Sequence, residues 1–198
     1  MKKLFILLFL LLYSFGFSQV KILSWNVENF GKSKSDAEIA YIATLLNKYD
    51  LVALQEVVAG YGGPQAVARL ADELNRKGNK WEYTISDPTT STPSKTERYA
   101  FLWKTAQLKK IGKAWLEKNY ASVIEREPYL CTFEYHKKQF TAVSFHAITK
   151  SKQPEKEIKY FKFFPSAYPK SNLIFMGDFN CPQSHSVFDP LRKIGFAS

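Results

Sequence analysis

Asn172-Leu173-Ile174-Phe175-Met176-Gly177-Asp178-Phe179-Asn180 joins an apolar run to two hard oxygen side chains. The run stops at Gly177, and a carboxylate and a carboxamide follow two residues apart. In an extended chain, residues two apart point to the same side, so Asp178 and Asn180 can reach one phosphate or one metal ion. Oxygen ligands of this kind suit Mg²⁺, Mn²⁺ or Ca²⁺ over soft metals. An aspartate behind a strand also reads as a plain turn former. The segments upstream must choose between the two.

Residues 20–25 read as a strand, with Asn26 at its C-terminal end. Ser35 to Glu38 has capping-box spacing, and Ile39, Ile42, Ala43 and Leu46 follow as one apolar helical face that Asp50 closes. Residues 51–54 form a short buried strand running into Gln55 and Glu56. Gly60 to Pro64 breaks the chain, and Val67, Leu70, Ala71 and Leu74 mark a second amphipathic helix that Gly78 stops. Residues 81–85 read as a strand, and 87–96, rich in Pro, Ser and Thr, as an exposed loop able to cover a ligand.

Residues 99–103, 129–133 and 140–145 are aromatic and β-branched, which predicts neighbouring strands of a largely antiparallel sheet. Residues 154–164 predict a basic, aromatic-rich helix, and 187–194 a short helix interrupted near Pro190. Helices interspersed with many strands give an α/β class: a two-layered β-sandwich core with helices outside.

Composition sets the remaining bounds. Lys2 and Lys3 precede an apolar run from Leu4 to Phe17, with Gly16 and Ser18 near a plausible cleavage point. The run has signal-peptide length and is short for a membrane span, so residues 1–18 are expected to be a signal peptide, with a retained anchor as the alternative. Residues 19–198 then form one domain. Without Lys2 and Lys3 the chain carries 26 basic against 18 acidic residues, a net charge of +8. That balance favours a polyanionic partner, although plain solubility would also use it. Two cysteines, Cys131 and Cys181, are too few for a disulfide scaffold, and no Cys/His cluster suggests zinc.

Asn26, Glu56, Glu97 and His146 share one placement with Asp178 and Asn180: each ends or interrupts an apolar strand. A carboxylate buried there costs several kcal/mol unless paired or metal-bound. A phosphodiester hydrolase would give the repetition a purpose. It needs a carboxylate to hold a divalent cation, an amide to fix phosphate or water, and an imidazole to exchange a proton.

Six segments carry a resemblance in order. Ser24-Trp25-Asn26-Val27-Glu28-Asn29-Phe30-Gly31, Leu54-Gln55-Glu56-Val57, Glu97-Arg98-Tyr99-Ala100-Phe101, Arg126-Glu127-Pro128, Phe145-His146 and Gly177-Asp178-Phe179-Asn180 resemble the endonuclease/exonuclease/phosphatase superfamily. The Glu-Arg-Tyr and Arg-Glu-Pro elements are most similar to its secreted deoxyribonuclease I-like branch. The resemblance implies an α/β/β/α fold and a divalent-metal-dependent DNA endonuclease. Glu56, with Asn26, would hold the catalytic Mg²⁺ (Mn²⁺ or Ca²⁺ in its place), and Asp178 and Asn180 the attacking water and scissile phosphate. Asp178 could also meet a second metal. His146, its tautomer fixed by Glu97, would act as the general acid, and Arg126 would contact a DNA phosphate.

His136 and His185 fall outside these motifs and read as surface residues. The resemblance further implies a secreted or periplasmic monomer with DNA as partner and no stable membrane association after signal cleavage. The family pattern continues past this point with a further Asp and a terminal Ser-Asp-His, so the expectation is a partial, C-terminally incomplete domain with slow or no turnover. A phospholipid or small phosphate-ester hydrolase, or a non-catalytic basic binding remnant, are the competing expectations.

Overall fold

The computed structural model describes residues 19–197; the expected signal peptide, 1–18, lies outside the described residues. Two four-stranded sheets form the centre. The first contains β1 (Ile22–Phe30), β2 (Leu51–Val58), β3 (Trp81–Ile85) and β4 (Glu97–Lys104), in the order β1-β2-β4-β3. The second contains β5 (Lys109–Leu116), β6 (Tyr129–Tyr135), β7 (Lys138–His146) and β8 (Leu173–Asp178), in that order. Each sheet mixes directions: β1 with β2 and β7 with β8 are parallel, and the other pairs antiparallel.

Side-chain alternation explains how both faces of each sheet are covered. In β2, Leu51 and Ala53 face the second sheet, whereas Val52 and Leu54 face the helices. In β4, Tyr99, Phe101 and Trp103 point between the sheets, and Ala100 and Leu102 away from them. Across the gap stand Tyr129, Cys131, Phe133, Ala142 and Met176. Phe101 stacks on Tyr129 with ring centroids 5.4 Å apart, and Trp103 meets Phe133 edge-on at the same distance.

The helices α1 (Asp36–Leu46) and α2 (Gly62–Arg76) cover the first sheet through the apolar positions that the sequence spacing singled out. Ser35 and Glu38 form the expected capping box, a feature that contributes about 1 kcal/mol. The other outer face is covered by α3 (Glu155–Ile158), a 3₁₀ segment (Lys159–Phe163), α4 (Phe164–Ala167) and α5 (Asp189–Lys193). The result is the α/β/β/α sandwich.

Four details differ from the sequence expectation. The strand holding residues 99–103 belongs to the first sheet and faces residues 129–133 and 140–145 across the sandwich; it does not neighbour them in one sheet. Strand β5 lacks a clear alternating signal because it sits at an edge and is only partly buried. Asp50 does not close α1, which ends at Leu46 with Asn47 as its cap. Asp50 instead accepts the Lys21 N–H at 2.9 Å and lies 3.6 Å from Lys104 Nζ.

The fourth difference concerns 154–164, which is not one α-helix. Residues 156–164 read Lys-Glu-Ile, Lys-Tyr-Phe, Lys-Phe-Phe, an apolar residue at every third position. Only a helix with three residues per turn keeps a three-residue repeat on one face. The chain accordingly tightens to 3₁₀ at Lys159, and Ile158, Phe161 and Phe164 all stay buried.

Both cysteines are free: Cys131 is buried between the sheets, and Cys181 is half-buried beside the outer cluster. Burial raises the Cys131 thiol to about 12. No helix among the described residues is long and apolar enough to cross a membrane.

Candidate active site

The parallel pairs bring four strand ends to one end of the sandwich. Asn26 pairs with Gln55 in the first sheet, and His146 with Asp178 in the second. The regular β1–β2 register then breaks between Asn26 and Phe30, and β2 shifts against β4 between Leu54 and Val57. Both irregularities surround Glu56, whose φ of +58° is uncommon for a residue with a side chain. Asn29 and Asn180, at +51° and +49°, have the same left-handed backbone. Such conformations cost of order 1 kcal/mol or more each and persist where surrounding structure imposes them.

The strained turns gather the polar groups. Asn26 Nδ2 donates to Glu56 Oε1 at 2.8 Å and to Asp178 Oδ2 at 3.0 Å, so one amide bridges a carboxylate from each sheet. Glu56 Oε2 accepts the Asn29 N–H at 3.2 Å. The Glu56 N–H donates to Glu97 Oε1 at 3.2 Å. Glu97 Oε2 lies 2.8 Å from His146 Nδ1. A carboxylate only accepts, so Nδ1 carries the proton there and Nε2 faces the cleft. That Nε2 is 3.9 Å from both Glu56 Oε1 and Asp178 Oδ2.

Gly177 makes the close approach of β8 possible. A Cβ at Gly177 would sit 1.9 Å from the Phe145 carbonyl oxygen, and the residue has φ +141°. Strand β8 ends at Asp178, so Asp178 and Asn180 do not share one extended segment. Asn180 instead turns back: its N–H donates to Asp178 Oδ1 at 3.1 Å, and its Nδ2 to Ala147 O at 3.2 Å. Asp178 is therefore a turn former and a site residue at once.

Arg126 stands behind this wall. It is 6% exposed, although Glu125 and Glu127 flank it in the sequence. Its Nε donates to His146 O at 2.9 Å, its Nη2 to Ala147 O, and its Nε is 3.8 Å from Glu97 Oε2. Arg98, next to Glu97 in the sequence, turns elsewhere and donates to the carbonyls of Ala59 and Ser86. His136 and His185 are exposed, as expected.

Several supporting groups carry little sequence signal. Tyr99 OH accepts the His146 N–H at 3.2 Å; burial, then the Glu97 charge, holds this phenol well above its ordinary range and keeps it neutral. Gln55, fully buried, donates to Ser24 Oγ at 3.1 Å and to Ser144 Oγ at 2.8 Å, linking the sheets beneath the cleft. Glu127, also fully buried, accepts from Thr90 N at 2.9 Å and so ties the 87–96 loop to the Arg126 turn. Glu157 accepts from Glu125 N at 2.6 Å and Ile148 N at 2.9 Å; burial pushes its carboxyl up. Gln55, Glu127 and Glu157 carry side chains that are usually solvated, and only tertiary packing reveals their burial.

Two carboxylates sharing one amide, next to a third carboxylate and an imidazole, gather hard oxygen donors at the cleft. Among the described residues, no three His, Cys, Asp or Glu side chains converge as a closed metal cage. Asn26 Oδ1 is buried without a hydrogen-bond partner, the kind of orphaned oxygen that a cation satisfies. Glu56, Asp178 and this oxygen are hard donors suited to Mg²⁺, which keeps several of its ligands as water or substrate oxygens.

The model of the Endonuclease/Exonuclease/phosphatase family matches residues 23–198. The chain belongs to that family. Among curated relatives of this family member, a deoxyribonuclease of Thioalkalivibrio sp. (strain K90mix) is 26% identical, the match covering 96% of the chain and 54% of the relative. Deoxyribonuclease-1 of Bos taurus is 29% identical over 84% of the chain and 62% of its own length. The chain thus spans a little over half of the curated relatives it matches. The crystal structure of an endonuclease/exonuclease/phosphatase family protein from Bacteroides thetaiotaomicron superposes with a TM-score of 0.62 at 17% identity, covering 89% of this chain and 69% of that one. That likeness is one of fold.

Proposed function

We propose that this family member is a divalent-metal-dependent phosphodiesterase acting on DNA, exported from the cell. The observation that carries the reading is the Asn26 amide bridging Glu56 and Asp178, with His146 Nε2 at 3.9 Å from both carboxylates. The deoxyribonuclease relatives and the net charge support DNA as the substrate.

Glu56, Asp178 and Asn26 would hold Mg²⁺, with Mn²⁺ or Ca²⁺ as alternatives; when bound, such an ion neutralises phosphate charge and favours ionisation of water. Asp178 and Asn180 orient the attacking water and the phosphate for in-line displacement. His146, which keeps one proton on Nδ1 against Glu97, acts as an acid when Nε2 is protonated as well, and would then give the Nε2 proton to the departing oxygen. Glu97 holds Nδ1 and keeps the ring turned into the cleft. Arg126 contributes its positive charge to the phosphate site from behind the Glu97–His146 pair, and through the His146 and Ala147 carbonyls it fixes the end of β7.

Hydrolysis of plasmid DNA, sphingomyelin and inositol phosphates with and without Mg²⁺ tests the substrate. DNA cleavage alone is the expected result. Lipid cleavage with DNA left intact contradicts it.

A further inference from the structure

The segment after β7 carries a feature that the catalytic cleft does not use. Lys156, Lys159 and Lys162 stand at every third position and are all exposed. In a 3₁₀ helix residues three apart eclipse, so Lys159 and Lys162 stand in line, and Lys156 continues that spacing from the preceding turn. Ile158, Phe161 and Phe164 fill the opposite face, with Phe161 and Phe164 stacked at 5.0 Å. The lysines therefore lie on the solvent side of a rigidly seated segment, with Lys159 Nζ 5.2 Å from the Tyr160 ring centre and Lys162 Nζ 5.0 Å from that of Phe163. Among the described residues none of the three has an acidic partner within ion-pair distance.

The position of the row relative to the cleft is also fixed. Glu157, inside the same segment, accepts the N–H groups of Glu125 and Ile148, residues adjacent to Arg126 and two beyond His146. The segment is thereby anchored beside the end of β7 that carries His146. At about 2.0 Å rise per residue the ammonium groups recur roughly every 6 Å. Successive phosphates on one DNA strand rise about 3.4 Å along the axis and, because the strand winds around it, stand roughly twice as far apart through space, which matches the lysine spacing.

We propose that Lys156, Lys159 and Lys162 form a phosphate-binding track that engages neighbouring phosphates of one DNA strand beside the cleft. The proposal rests on DNA being the substrate. Its chemistry is point-charge contact without base reading, so it strengthens binding to any sequence.

The test is the salt dependence of binding to a short DNA duplex in EDTA, where no turnover occurs. Each phosphate contact contributes about 0.9 to the slope of log K against log salt. Replacing all three lysines by glutamine should make the slope shallower by about 2 to 3, and Lys159→Gln alone by about 1. The comparison protein carries Lys109→Gln, Lys113→Gln and Lys138→Gln, the same loss of charge away from the row; its slope should hold. Equal changes in both triple variants reduce the row to bulk charge and overturn the proposal. An unchanged slope overturns it too, including the case where the row's variant loses only its binding to phosphatidylserine vesicles. If the parent chain cleaves no DNA with any divalent ion and the slope still falls, the nuclease reading fails and the track stands.

Discussion

At the residue scale the site depends on Glu97. One of its oxygens holds His146 Nδ1 and the other receives the Glu56 N–H, so a single carboxylate sets both the imidazole and the strained backbone of Glu56. Glu97→Gln keeps the size and removes the fixed acceptor character. Its neutral amide takes away the negative charge that supports a doubly protonated, proton-donating ring. The expected outcome is a fall in kcat on the order of 10²–10⁴-fold with KM for DNA nearly unchanged. Steady-state kinetics on plasmid DNA measures it, with Glu97→Asp recovering part of the rate. A rise in KM at constant kcat would place Glu97 in substrate binding.

Elements were legible in the sequence where periodicity was simple. The capping box at Ser35 and the apolar faces of α1 and α2 stand where their spacing puts them. The six expected site positions stood out because a polar residue interrupting an apolar run is conspicuous; the structure places Asn26 and Glu56 inside β1 and β2, Glu97 at the start of β4, His146 and Asp178 at the ends of β7 and β8, and Asn180 beyond β8. Sheet membership was not, because β4 and β6 have similar aromatic patterns and only pairing partners separate the sheets. Local strain was hidden as well. Nothing in Leu54-Gln55-Glu56-Val57 announces a left-handed glutamate, and the bulge follows from how β2 meets both β1 and β4.

Gly177 was read as a strand terminator, whereas its function is to let β8 lie against the Phe145 carbonyl. Gly177→Ala should therefore displace the end of β8 and destabilise the fold by about 3 kcal/mol or more, from overlap together with an unfavourable φ. Urea unfolding checks this; a change within about 0.5 kcal/mol would show that β8 is loosely held.

At the scale of the whole molecule, buried acids join distant segments. Glu157 links the segment after β7 to the Arg126 turn, and its carboxyl is raised chiefly by burial. The sign of the pH effect follows. Above the ordinary glutamate range the unfolded chain has released this proton while the folded state still retains it. This contribution to stability is complete at lower pH and is lost as pH rises through the raised folded value. Glu157→Gln should remove that decline, seen as a flatter urea midpoint across mildly acidic pH. An identical decline in the variant would assign it to another group.

The central claim is that one cleft, walled by Asn26 and Glu56 from one sheet and His146 and Asp178 from the other, hydrolyses phosphodiester bonds with a divalent ion. Mg²⁺-dependent plasmid nicking by the parent chain and by Glu56→Ala, both verified as folded by circular dichroism, tests it most directly. The account predicts nicking that EDTA abolishes and that Glu56→Ala lowers by at least about 10²-fold. Nicking by Glu56→Ala at the parent rate would contradict it.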